Sequence, residues 1–253
     1  MLKAGICAVA LIGLASAPAM AHGNQVDITV RGDQRCISSN DTPTHAIGHF
    51  PTRGNPNSFR AQNISVCVDA TPSQTGRVTT QTNASGITLS GIPIRPGTAE
   101  CYDPTGRGGF SRNCASGWHV EGLANARKLG MDANDAHVDE RGLYHYHGVS
   151  NGLLEAAQGT LIGYAADGFE IHYAGGGVQS SYELKQGTRP SGPGGRYDGS
   201  YIEDWTYTAG AGDLDECNGG IYQGHYVYFA TDTYPFFPRC FKGTVSRDFL
   251  GRP

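Results

Sequence analysis

The tetrapeptide Tyr144-His145-Tyr146-His147 places two imidazoles two residues apart. On a β-strand alternate side chains share a face, so both histidines are expected on one side and both tyrosines on the other. The two histidine Cα atoms would then lie roughly 6–7 Å apart, which allows both imidazoles to bind one metal ion. The tetrapeptide therefore predicts part of a metal site carried by a strand.

A third imidazole is close in the sequence. His137 precedes His147 by ten residues, and the chain has only nine histidines in total. Three histidines with an open fourth position are a ligand set of catalytic zinc, and imidazole also suits copper. The alternative is a hydrogen-bonded aromatic strand without metal. We predict a copper or zinc site at His137, His145 and His147.

Carboxylates offer secondary candidates. Asp213, Asp215 and Glu216 lie within four residues, and such hard oxygen ligands suit Ca²⁺. Their spacing differs from that of a helix-loop-helix calcium loop, and a solvated acidic turn beside Cys217 is the favoured interpretation. A carboxylate here could instead hydrogen-bond a ligand imidazole. Asp135 is a further candidate, two residues before His137.

The first 21 residues have the features of a secretory signal peptide. Lys3 provides a positive start, Ala4–Leu14 is a short apolar run, and Ala19-Met20-Ala21 offers a small-residue cleavage site. Cleavage after Ala21 would make His22 the first residue, whose amine and Nδ1 could together chelate copper. We expect one domain over residues 22–253, periplasmic or secreted.

The elements that position these residues are expected to be strands. The chain contains 37 glycines and 17% charged residues, which disfavours helical bundles and coiled coils. Runs rich in β-branched and aromatic residues recur between turn residues, among them Ile87–Ile94, Thr160–Tyr173 and Ile221–Ala230. We predict a mainly β fold, an antiparallel sandwich or barrel, with hairpins at Gly86–Ile94 and Gly163–Ile171. Helical periodicity predicts one short helix near 119–130.

Six cysteines remain after the leader is removed. An even number of cysteines in an exported protein predicts disulfides. The sequence contains no Cys-x-x-Cys pair, which would have indicated a zinc site. Six cysteines allow fifteen pairings. We favour the sequential one, in which the bridges are Cys36–Cys67, Cys101–Cys114 and Cys217–Cys240.

Charge and hydropathy exclude two classes of partner. A net charge of −4 offers no basic patch for a phosphate backbone, so we expect no nucleic-acid partner. No stretch approaches the roughly 20 apolar residues of a membrane span.

Several motifs together resemble a known family. Besides Tyr144–Gly148, the ordered stretches are Gly130–Val138, Gly163–Phe169, Gly195–Gly199, Gly212–Gly219, Thr231–Pro235 and Pro238–Cys240, with His45–Gly48 and Arg53–Asn57 towards the N-terminus. In this order they resemble the secreted YHYH proteins. The resemblance implies no particular activity.

One position departs from the family pattern. The family carries Tyr-His-Tyr before the Thr-Asp-x-Tyr-Pro motif, whereas this chain has Tyr226-Val227-Tyr228. His225 stands two residues before Val227 and so on the same strand face, where it could partly replace the missing imidazole. His225 is therefore a fourth, weaker metal candidate.

Three functions fit these residues. The first is an exported metal-binding protein that takes up, buffers or senses copper or zinc. The second is a metalloenzyme in which the ion activates a water molecule for attack on a small molecule. The third is a recognition domain for sugars or a cell-surface polymer, with structural histidines. We favour the first.

Overall fold

The computed structural model describes residues 23–80, 82 and 84–250. The predicted signal peptide and His22 lie outside these residues. The strands of the described part, numbered along the chain, are β1 Val26–Arg31, β2 Gln34–Ser39, β3 Ile64–Asp69, β4 Gly86–Thr88, β5 Pro93–Ile94, β6 Cys101–Tyr102, β7 Phe110–Ser111, β8 Ala136–Val138, β9 Tyr144–Tyr146, β10 Leu161–Ala165, β11 Glu170–Tyr173, β12 Tyr182–Leu184, β13 Trp205–Tyr207, β14 Gly219–Tyr222 and β15 His225–Ala230.

Two sheets form most of the described structure. The smaller has the order β1-β2-β3, and the larger has the order β14-β15-β11-β10-β4-β5-β9-β8. Two small two-stranded sheets, β6-β7 and β12-β13, lie outside them. The prediction of a mainly β fold is confirmed.

The large sheet is mixed, whereas the sequence led us to expect a wholly antiparallel arrangement. The pairs β5-β9 and β11-β15 are parallel, and the other five pairs of this sheet are antiparallel. Parallel partners come from distant parts of the chain, so local turn signals do not reveal them.

Both predicted hairpins form. The strands β4 and β5 pair within Gly86–Ile94, and β10 and β11 pair within Gly163–Ile171. The second hairpin needs glycine at its turn, because Gly168 has a φ of 92° and a Cβ there would lie 2.2 Å from the Asp69 carbonyl oxygen. The turn therefore also sets how closely the two sheets approach.

One apolar cluster joins the two sheets. The inward face of the small sheet contributes residues such as Ile37 and Val66, which are buried with Ile87, Ile94 and Ile171 of the large sheet. Alternation along β3 explains this face, because its buried and exposed residues follow the period of two expected for a half-buried strand. The Tyr144 and Tyr146 rings belong to the same cluster.

The helical segments between Leu123 and Leu154 are each only three or four residues long. The predicted helix is confirmed but begins later than expected, as a 3-10 turn at Leu123–Asn125 followed by α1 at Ala126–Leu129. His119 and Val120, expected in this helix, instead form isolated β-bridges. A second helical turn, α2 at Asn151–Leu154, was not predicted; the Ser150 hydroxyl accepts a hydrogen bond from Leu153 N at its start.

The favoured disulfide pairing is the one that the structure contains. The three bridges are Cys36–Cys67, Cys101–Cys114 and Cys217–Cys240. Cys36 and Cys67 lie directly opposite each other on β2 and β3, so this bridge ties the small sheet together. Three disulfides fit a protein of an oxidising compartment. Among the described residues, no helix has the length and apolar character needed to cross a membrane.

Candidate metal centre

Strands β8 and β9 bring the three predicted histidines together. They pair antiparallel at one edge of the large sheet, with His137 directly opposite His145. His147 follows β9, and its amide donates a hydrogen bond of 2.8 Å to the Asp135 carbonyl. The three ring centroids lie 4.7 to 5.0 Å apart.

The nitrogen atoms have a spacing that suits one metal ion. One nitrogen from each imidazole lies within 4.8 Å of the others. The Nε2 atoms of His137 and His147 are 3.2 Å apart. Two nitrogens bound to one tetrahedral zinc at about 2.0–2.1 Å would lie roughly 3.3 Å from each other. The pair already has the separation that shared coordination requires.

Backbone carbonyls select the ring nitrogen available to a metal. His137 Nδ1–H donates to the Leu129 carbonyl at 2.8 Å, and His145 Nδ1–H donates to the Leu143 carbonyl at 3.2 Å. Each bond puts the ring proton on Nδ1 and leaves an Nε2 lone pair. A carbonyl partner of this kind orients a ligating imidazole and increases its basicity.

Burial keeps the imidazoles neutral. His145 is 5% exposed and His147 is 1% exposed. Burial lowers the pKa of His137, and it lowers the pKa values of His145 and His147 well below the ordinary histidine value, with His137 adding to both shifts. Metals bind neutral imidazole, so the site does not have to release protons near neutral pH.

Glycine at position 122 makes room for the third imidazole. A Cβ at Gly122 would lie 2.6 Å from His147 Nδ1, closer than atoms approach without displacement. The same Nδ1 is buried and has no hydrogen-bond partner among the described residues. The segment before α1 therefore defines the position of the His147 ring by close packing.

The histidines face a cavity of about 740 Å³. This volume lies in the range of roughly 300–1,000 Å³ that is usual for small-molecule sites. Two aromatic side chains, Tyr182 and Tyr234, contribute to the wall together with Arg95 and Arg239. A metal held by the three imidazoles would thus be accessible to a small ligand.

Asp135 and Asp139, the carboxylates nearest to His137 in the sequence, lie in different places relative to the cavity. The backbone carbonyl of Asp135 accepts the hydrogen bond from the His147 amide. Burial raises the pKa of the Asp135 side chain. Asp139 lines the cavity, where its Oδ1 accepts hydrogen bonds from the amides of Arg141 and Leu143 and so closes the turn between β8 and β9.

The carboxylates of the acidic segment have partners within the protein. Asp213 Oδ2 accepts from Gln179 N, and Asp215 Oδ1 accepts from Cys217 N. Glu216 pairs with Lys242. None of these three carboxylates lines the cavity. Asp215 closes a turn at Cys217, whereas the partners of Asp213 and Glu216 lie in other segments, and the calcium site and the solvated acidic turn both stay predictions.

His225 does not join the other histidines. It is exposed at the start of β15, five strand positions from β9 in the sheet order. Val227 is buried in an apolar cluster with Leu214 and Phe229. At a strand spacing of roughly 4.8 Å, an imidazole at position 227 would also be remote from the other three. His22, the remaining candidate, is outside the described residues.

One further group of potential ligands is formed by Cys101, Cys114 and His119. The two sulfur atoms are joined in a disulfide, which removes the thiolates that a metal would need. His119 Nδ1 lies 2.6 Å from Glu203 Oε1. In the oxidised protein this group is a disulfide beside a histidine-carboxylate pair.

The family model described as YHYH protein matches residues 65–243, a span that includes β8, β9 and most of the residues that line the cavity. The chain belongs to the YHYH protein family. No curated protein and no solved structure matches it. The stretches His45–Gly48 and Arg53–Asn57 lie before the matched span.

Sequence reasoning missed Arg95, Arg239 and Gly122. Arg95 reaches the site because β5 pairs in parallel with β9, a contact between segments about fifty residues apart. Arg239, which lines the cavity, lies near the C-terminus of the chain, and Gly122, which packs against His147, lies in the loop before α1. No periodicity connects these positions to the tetrapeptide, and the motif Pro238–Cys240, which contains Arg239, gave no indication that this residue reaches the histidines.

Proposed function

We propose that this YHYH protein is an exported metal-binding protein whose His137, His145 and His147 bind one Cu²⁺ or Zn²⁺ ion. The observation that carries the proposal is the convergence of three imidazoles, two buried and one half-buried, with ligand nitrogens within 4.8 Å of one another. Buried neutral rings held by backbone carbonyls suit divalent transition metals, and copper binds such nitrogen sites more tightly than zinc. Uptake, buffering or sensing of the ion would follow from this affinity.

Export is part of the proposal. The three disulfides require an oxidising compartment, and the features of residues 1–21 are those of a cleaved leader. The periplasm or the cell exterior meets both conditions.

The cavity favours a second function, that of a metalloenzyme. Three protein ligands with an open position are typical of catalytic zinc, which lowers the pKa of a bound water to about 7. Of the candidate general bases near the ligands, Asp139 and Glu140 line the cavity. A small-molecule substrate would enter by the same opening through which the ion is reached.

Metal analysis of the mature protein, purified without a histidine tag, tests the proposal. One equivalent of copper or zinc is expected after equilibration with each ion and removal of excess. The His145→Ala/His147→Ala double variant should lose this equivalent. His225→Ala is the matched control, because it removes an exposed imidazole from the same sheet and should retain the metal.

One result of this metal analysis would contradict the proposed metal-binding function. If wild-type protein and the double variant bind the same amount of metal with the same affinity, the proposal is wrong. The histidines would then be structural, and the recognition-domain function would take precedence.

A further inference from the structure

Arg95 lies on the histidine side of the large sheet. Ile94 pairs in parallel register with Tyr146, and the Arg95 amide donates a hydrogen bond of 2.8 Å to the Tyr146 carbonyl. Because Ile94 shares the face of Tyr146, the next residue points to the opposite face, where His145 and His147 lie. The structure accordingly places Arg95 in the wall of the same cavity as these histidines.

The Arg95 guanidinium has an unused donor. Its Nη1 binds Asp139 Oδ2 at 3.0 Å, with the side chain 14% exposed. Its Nε is buried and has no hydrogen-bond partner among the described residues. A buried N–H without a partner is costly, and a bound ion or water is one explanation for such a group in a native protein. A guanidinium suits the oxygen atoms of a carboxylate or phosphate group.

A second arginine is held on the cavity wall. Arg239 Nη2 binds Glu121 Oε1 at 2.9 Å, and its guanidinium lies 4.8 Å from the centre of the Tyr234 ring. Glu121 is 1% exposed, so this pair is fixed within the protein. The stacking leaves Arg239 as a rigid positive group beside the space in front of the histidines.

The charges of the wall balance without a metal. Among the described residues, four arginines line the cavity: Arg95, Arg112, Arg141 and Arg239. Four carboxylates offset them, three in the lining and one behind Arg239: Glu100, Asp139, Glu140 and Glu121. Three neutral imidazoles add no charge, so a divalent ion would add two positive charges to a set of described wall residues that is already balanced. Burial of such an excess is unfavourable, and an anion would relieve it.

We infer that the cavity binds a small oxyanion, a carboxylate or phosphate group, with one oxygen directed to the metal site and another accepting a hydrogen bond from the Arg95 guanidinium. This inference rests on the proposed metal site. It names the ligand class of the open position and assigns Arg95 as the specificity-determining residue. Neutral molecules of the same shape would lack the charge that the loaded site requires.

Copper-loaded protein titrated with acetate, and separately with phosphate, tests the inference. Both anions should shift the visible absorption and electron paramagnetic resonance spectra of the bound Cu²⁺ in a saturable manner. Acetamide is the neutral counterpart of acetate and should leave the spectra unchanged. If one anion binds and the other does not, the result identifies which oxyanion fits the cavity.

Variants of Arg95 and Arg112 distinguish an effect of the Arg95 position from an effect of losing one positive charge. Arg95→Gln should raise the dissociation constant of the anion roughly ten-fold or more while one equivalent of copper is retained. Arg95→Lys keeps the charge but lacks Nε, and should recover only part of the affinity. Arg112→Gln makes the same change of charge at a side chain that is 62% exposed, and should change the constant less than two-fold or so.

The outcomes are distinguishable. If wild-type protein binds one copper but neither anion alters its spectra, the inference is wrong and the proposed function stands. Equal effects of Arg95→Gln and Arg112→Gln would also overturn the assignment of Arg95. If wild-type protein binds neither copper nor zinc, the proposed function fails, and the inference fails with it. Circular dichroism of each variant verifies that the fold is retained.

Discussion

The Tyr146 hydroxyl lies 2.6 Å from His45 Nε2, on the face of β9 opposite to the three metal-candidate histidines. The neighbouring Tyr144 hydroxyl donates to Asp132 Oδ2 at 2.8 Å. Each of these tyrosines is fully buried in the main apolar cluster. One short strand thus serves two purposes, with its phenols anchored in the core and its imidazoles directed to the cavity.

This division predicts different results for two neighbouring substitutions. Tyr146→Phe should retain one equivalent of metal and lower the free energy of unfolding by about 1 kcal/mol, because the hydrogen bond to His45 is lost while the ring stays packed. His147→Ala should abolish or severely weaken metal binding. Calorimetric titration with Zn²⁺ and denaturant unfolding measure both effects. Equal metal affinity in wild type and both variants would make the tetrapeptide an aromatic structural strand.

The local part of this site could be predicted from the sequence. Alternation along a strand assigned Tyr144 and Tyr146 to one face and His145 and His147 to the other. His137 is separated from His145 by only a turn, so proximity in the chain was a sound guide to proximity in space. The structure brings all three imidazoles into one group.

Non-local pairing limited the remaining predictions. The sequence suggested that His225 could replace a missing imidazole, because the chain has Val227 where the family pattern has histidine, and His225 lies two residues earlier on the same strand face. The distance between β15 and β9 follows from the order of the strands in the large sheet. That order depends on the parallel pairs β5-β9 and β11-β15. Contacts between distant segments arise from packing of the whole chain, which hydrophobic periodicity does not encode.

Gly122 provides a steric test of the metal site. A Cβ at position 122 would lie 2.6 Å from His147 Nδ1, so Gly122→Ala should displace the imidazole and weaken metal binding roughly ten-fold or more. The backbone itself accepts alanine, since the φ of Gly122 is −61°. Gly176→Ala is the control, because a Cβ at Gly176 meets no atom within 4 Å. Unchanged metal affinity in Gly122→Ala would contradict the close packing of His147.

The Cys36–Cys67 bridge should contribute measurably to stability. Replacement of both cysteines by alanine is expected to lower the free energy of unfolding by about 2–4 kcal/mol, since the bridge closes a loop with a sequence separation of 31 residues. The control is Ser38→Ala/Ser65→Ala, an exposed pair directly opposite each other on the same two strands. Denaturant unfolding measures both variants. Peptide mapping of the native protein should find no free thiol among the six cysteines after the leader.

The buried carboxyl group of Asp41 predicts how stability depends on pH. Asp41 is 0% exposed, its Oδ2 accepts a hydrogen bond from the Tyr144 amide, and its Oδ1 has no partner among the described residues. Burial raises the pKa of Asp41 from 3.8 to about 8, and the Tyr144 hydrogen bond opposes this shift. Between these values the folded protein holds a proton that the unfolded chain has released. The stability provided by the neutral carboxyl is therefore complete below the unfolded pKa and is lost as the pH rises to about 8.

Asp41→Asn should remove this dependence. An asparagine keeps an acceptor for the Tyr144 amide and tolerates the positive φ of 56° at this position. At about pH 9 the variant should be more stable than wild type by roughly 2 kcal/mol, with the difference shrinking towards about pH 5, because an uncharged amide replaces a buried carboxylate. Urea unfolding at several pH values measures the difference, and Asp27→Asn at an exposed position of β1 serves as the control. A constant difference between wild type and Asp41→Asn across this range would show that Asp41 does not titrate with a raised pKa.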